Sequence, residues 1–96
     1  MSQRLELFNI GLQRCEELLN LYPEIEDVIN SIRKQINFLI EIENGQEKNN
    51  RSRLDDIIID VLTVREIEPR DSELSEIFYK ISSEAKNMQR ENGNSG

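Results

Sequence analysis

Residues Leu54–Leu74 read LDDIIIDVLTVREIEPRDSEL, and how this stretch is divided decides the fold. Leu54, Ile57, Ile58, Val61, Leu62 and Val64 recur at the three- and four-residue steps that put side chains on one broad face of a helix. Ile59 falls outside that face. The charged bend Arg65-Glu66-Ile67-Glu68-Pro69-Arg70-Asp71 follows, and another helix starts beyond it. A run this apolar all round does not suit a solvated surface. It is expected at the centre of a bundle, or with spare apolar area for a partner.

After the bend, Leu74, Ile77, Phe78, Ile81, Ala85 and Met88 form the cleanest helical stripe in the chain, a core face rather than a cofactor site. Asp71 or Ser72 can cap this helix, with Glu73 near its positive end. Before the run, Gly45-Gln46-Glu47-Lys48-Asn49-Asn50 reads as a linker, and Asn50 or Ser52 can cap the third helix, which is expected to run to about Glu66.

The N-terminal half reads as a helical hairpin. Leu5, Phe8, Leu12, Cys15 and Leu19 make residues 2–21 an amphipathic helix, which assigns Cys15 to the core and not to reactive chemistry. Gly11 costs that helix ~1 kcal/mol relative to alanine and marks a close helix approach. Tyr22-Pro23 ends it and opens the next, with Glu24, Glu26 and Asp27 in the favoured first turn. Ile25, Val28, Ile29, Ile32, Ile36, Leu39 and Ile40 supply the second core stripe, and Asn44-Gly45 a C-terminal cap. Phe38 and Ile42 lie off that stripe, available to another helix of the domain or to an interface. The expected fold is all-α, an antiparallel bundle of about four helices, with residues 1–90 a single domain and 91–96 a disordered tail.

Composition narrows the function. A chain of 96 residues buries only ~60–65% of the surface its unfolded form exposes, which favours work done on the outside over an enclosed substrate pocket. The net charge of −7 repels phosphate backbones and anionic lipid, so neither nucleic acid nor membrane is an expected partner, whereas a basic protein surface is. There is no histidine, the commonest general base and metal ligand. One cysteine, no visible secretory signal in MSQRLELFNIG and no long apolar run make the cytosol the expected setting.

No catalytic constellation is found, and no metal or cofactor is expected. Asp56 and Asp60 stand one helical turn apart, but without histidine or an aspartate-rich loop they read as a solvated acidic face. In the bend, Arg65 can reach the carbonyl end of the third helix and Asp71 can cap the fourth. Glu66 and Glu68 have no such structural role, which leaves them to a basic partner or to solvent; Asp55, Asp56 and Asp60 pose the same choice.

Taken in order, Tyr22-Pro23, Lys34-Gln35, Arg51-Ser52-x-Leu54, Val64-Arg65-Glu66-Ile67-Glu68 and Asp71-x-Glu73-Leu74 give the chain a family resemblance from about Leu19 to Ala85. It resembles the small helical immunity proteins that bacteria make alongside type VI secretion toxins, in the family whose founding member protects against a toxin that hydrolyses NAD and NADP. Asp55-Asp56 departs from the family pattern. The resemblance implies a non-enzymatic inhibitor in the bacterial cytoplasm that occludes the active site of a cognate toxin. Asp55, Asp56, Asp60, Glu66 and Glu68 are the expected partner-binding residues, facing a toxin surface that is basic around its active site. A homodimeric helical adaptor and an immunity protein to a nuclease-type toxin are the alternatives, and the apolar run leaves a homo-oligomer open.

Overall fold

The computed structural model describes residues 3–45 and 53–94. Helix α1 spans Gln3–Leu21, and the pre-proline residue Tyr22 leaves the helical region (φ −135°, ψ 67°), which proline disfavours at its predecessor. A single 3-10 turn, Pro23–Ile25, leads into α2, Glu26–Glu43. That helix ends at Gly45, whose positive φ of 78° lets its N–H turn back to the carbonyl of Ile42 at 2.9 Å. The hairpin and both of its turns are as the sequence predicts.

Between α2 and the last helix the chain departs from expectation. In place of one long helix there is a 3-10 turn at residues 53–56, a break at Ile57 and Ile58, a short helix α3 at Ile59–Leu62, and a π-turn at Thr63–Ile67. The π-turn is closed by the Glu68 N–H donating to the Thr63 carbonyl, five residues back, at 2.8 Å. Three β-branched residues in succession, Ile57-Ile58-Ile59, crowd a helical backbone and favour the break.

The break changes which side chains are buried. Ile59, Thr63 and Ile67 are fully buried, whereas Ile58, Val61 and Val64 are 45%, 46% and 56% exposed. The expectation that Ile59 lies off the core face while Ile58, Val61 and Val64 lie on it is thus reversed. Leu54 does join the core. Thr63 is tolerated inside because its hydroxyl donates to the Ile59 carbonyl at 2.7 Å.

Helix α4, Ser72–Asn94, starts under Asp71, whose Oδ1 accepts the Leu74 N–H at 3.1 Å. Its Phe78, Ile81, Ala85 and Met88 meet Phe8, Cys15 and Leu18 of α1 and the isoleucines of α2 in one core. Ile42 is buried there too, and the Phe38 ring lies 5.5 Å beneath the guanidinium of Arg53. Arg4 on α1 pairs with Glu43 at the end of α2 and with Glu84 and Glu91 on α4, at 3.1, 2.9 and 2.8 Å. This cluster places the start of α1 beside the ends of α2 and α4, so α1 runs antiparallel to both. The protein is an all-α bundle, and no strand occurs among the described residues. Residues 46–50 of the expected Gly45–Asn50 linker lie outside the described residues, as do the candidate caps Asn50 and Ser52 and residues 95–96 of the expected tail, whose residues 91–94 continue α4.

Candidate partner-binding face

The exposed side chains of Ile58, Val61 and Val64 follow one another at three-residue steps along the outside of α3 and the π-turn. Three large aliphatics in such proximity stand out on a chain with 19 acidic and 12 basic residues. The ridge they form has a flank on each side, one against α2 and one against α4.

On the α2 flank the break leaves the Ile58 N–H without a helical partner, and Oε1 of Gln35 accepts it at 2.7 Å. Gln35 in turn donates to the Ser31 hydroxyl at 3.2 Å. Asp56 lies here, in a shallow groove with Lys34, Gln35, Phe38, Arg53 and Ile57. Asp56 has no hydrogen bond or ion pair among the described residues.

The α4 flank is acidic, and its acids are engaged. Asp55 accepts a hydrogen bond from Gln89, Asp60 pairs with Lys86 at 3.5 Å, and Glu68 accepts the hydroxyl of Tyr79. The Tyr79 hydroxyl holds its proton up to about 12, first because of that bond to Glu68, with slight burial and the charges of Glu68 and Asp60 adding to it. Asp60 also accepts the Val61 N–H at 2.9 Å, which helps fix the first turn of α3.

Glu66 lies at the far end, beside Arg70 at 3.2 Å, which also pairs with Glu24 at 3.3 Å. Arg70, and not Arg65, reaches the carbonyl end of the turn, donating to the Glu66 backbone oxygen at 2.9 Å. This corrects the role expected for Arg65, which is exposed and has no hydrogen bond or ion pair among the described residues.

The five acids singled out from the sequence therefore fall into three settings. Asp55, Asp60 and Glu68 tie α3 and its turn to α4, Glu66 belongs to the Arg70 junction with the start of α2, and Asp56 stands on the α2 side. Sequence reasoning missed the cap supplied by Gln35 and the outward aim of the aliphatics. The isoleucine triplet at Ile57–Ile59 is the local signal that could have warned of the break. Among the described residues no cluster of three or more metal-ligating side chains occurs, and no helix is long and apolar enough to cross a membrane.

A short bundle whose exposed apolar ridge is edged by charge has the make-up of a protein-binding protein. More particularly, the family model Tsi6 matches residues 3–87, and the chain belongs to the Tsi6 family of type VI secretion immunity proteins, which bind a cognate toxin. No curated protein and no solved structure matches the chain.

Proposed function

We propose that this protein neutralises its toxin by seating the Ile58–Val61–Val64 ridge against the rim of the toxin's catalytic pocket, with Asp55, Asp56, Asp60, Glu66 and Glu68 around it. The observation that carries this reading is the exposure of three consecutive-turn aliphatics in a strongly acidic chain. Burial of such a centre provides affinity, while the surrounding acids steer a basic partner and fix its orientation. The toxin is one that hydrolyses NAD or NADP. Its pocket must attract a pyrophosphate-bearing substrate with positive potential, and an acidic plug is complementary to that potential.

Inhibition requires no chemistry from the immunity protein, and the histidine-free sequence offers little for it. Protection against toxin made in the same cell places the complex in the bacterial cytoplasm and requires slow release, with a dissociation constant on the order of nanomolar or below. The test is NAD consumption by the catalytic domain of the toxin encoded beside this gene, followed while the protein is titrated in. A sharp end point at one equivalent supports the reading. Unabated consumption sinks it, and tight binding to a domain that consumes no NAD would leave immunity intact but make the toxin a different enzyme, a nuclease among them.

A further inference from the structure

The ridge does not stand by itself. Helix α3 has four residues, and an isolated helix of that length is unstable in water. It must be held from outside, and its two flanks are held differently. On the α4 side there are several contacts, made by Gln89, Lys86 and Tyr79. On the α2 side, among the described residues, the backbone of the break is hydrogen-bonded to α2 through the Ile58 N–H and Gln35, while the turn before it is held by Arg53 over the Phe38 ring.

We infer that Gln35 is a positioning residue for partner binding: its amide oxygen sets the height and rotation of the apolar ridge relative to α2. Ile58 is the first ridge residue, so its N–H fixes where the ridge begins. Gln35 is itself half-buried and oriented by the Ser31 hydroxyl one turn back, so the acceptor is already aimed before any partner arrives. Its separation of 23 residues from Ile58 makes it the tether that registers one helix against another. The partner, by this account, meets a preformed ridge and need not order it, which removes an entropic cost from association. The inference rests on the ridge being the toxin-facing surface.

Three variants of the full chain test both ideas separately, each measured for affinity to the toxin catalytic domain and for exchange of the Ile58 amide by NMR. Gln35→Leu keeps bulk but removes the acceptor; it should speed Ile58 exchange and weaken binding by about tenfold each. Gln35→Glu keeps an acceptor oxygen at the same reach and should retain slow exchange and binding within about threefold of the parent. Val61→Asp breaks the ridge without touching Gln35 and should weaken binding by more than about tenfold with Ile58 exchange unchanged. If Val61→Asp weakens binding but Gln35→Leu does not, or if Gln35→Leu leaves Ile58 exchange slow, the role of Gln35 is overturned alone. If Val61→Asp binds normally, the ridge is the wrong face and the inference falls with it.

Discussion

Gly11 on α1 lies so close to Ile81 on α4 that a Cβ added to the glycine would stand 2.3 Å from the Ile81 Cδ1, and 3.1 Å from Cδ1 of Ile36 on α2. The first distance is impossible for a real contact, so the missing side chain lets three helices converge on one point of the core.

Gly11→Ala forces the tip of the buried Ile81 side chain to move, so an overpacking cost of about 1–3 kcal/mol should offset or exceed the ~1 kcal/mol gain in helix propensity, a net change of about 0–2 kcal/mol toward lower stability. Ile81→Val removes the very methyl in the way, at a cost by itself of about 0.5–1.5 kcal/mol. The double variant should be more stable than the sum of the singles by roughly 1 kcal/mol, read from urea midpoints. Strict additivity would mean that the close approach is not a constraint.

Arg4 tests the end of the bundle opposite the charged bend. It stands among Glu43, Glu84 and Glu91 with its side chain only 17% exposed. Arg4→Met should cost about 1–2 kcal/mol, because three carboxylates are left facing one another around an uncharged group. That deficit should shrink in about 1 M salt, where such repulsion is screened. A salt-independent loss would point to packing of the side-chain stem instead.

The buried Cys15 thiol is pushed from its ordinary 9.0 to about 12, first by desolvation, with the Arg33 charge opposing and Glu16 adding. A group whose pKa is higher in the folded state contributes stability that is complete below its unfolded value and is lost as pH rises toward the folded one. Stability should hold to about pH 9 and fall between about 9 and 12, and Cys15→Ala should flatten that fall. Tyr79, raised from 10.0 to about 12, acts in the same direction in the upper part of the window, so Tyr79→Phe should flatten it further. At neutral pH the native thiol should resist an aromatic disulfide reagent and react on unfolding. Rapid labelling of the folded protein would contradict the buried placement.

Charge reversal addresses the acids. Asp60→Lys combined with Glu66→Lys faces Lys86 and Arg70 with like charge, so some loss of stability is expected, on the order of 1 kcal/mol. Toxin binding should weaken further, chiefly through slower association and a reduced salt dependence. Unchanged association kinetics would remove these acids from the docking face. Sedimentation of the protein alone should give a monomer, whereas a stable dimer in the absence of toxin would assign the ridge to a second copy of the chain.

Most of the bundle was legible in the sequence. Helices α2 and α4 bury most of the stripes that their spacing predicts, whereas α1 buries Phe8 and Cys15 but leaves Leu5, Leu12 and Leu19 half-buried and puts Leu18 in the core, and Ile42, expected off the α2 stripe, is buried too. Tyr22-Pro23 and Asn44-Gly45 turn the chain as proline and glycine should, and Asp71 caps α4. Around α3 the reading failed for a physical reason. Periodicity assumes an unbroken helix of constant pitch, but the backbone breaks at Ile57–Ile58 and then widens into a π-turn, so the count that put Ile59 outside no longer applies. The bond that holds the break comes from Gln35, and no local pattern around Ile58 reveals a partner on another helix. The sign and rough location of the acids were legible; that Asp55, Asp60, Glu66 and Glu68 already have partners within the chain was not.

The π-turn has a consequence for how such a protein changes over generations. Ile59, Thr63 and Ile67 keep the segment anchored, while Ile58, Val61, Val64 and Arg65 face outward from the same ten residues. The two sets interleave without sharing a position, so the outer letters can be rewritten while the inner ones stay fixed. On the proposed toxin-facing surface, a lineage pursued by a mutating toxin would thus keep its fold as a constant chassis and the outward set as a replaceable key.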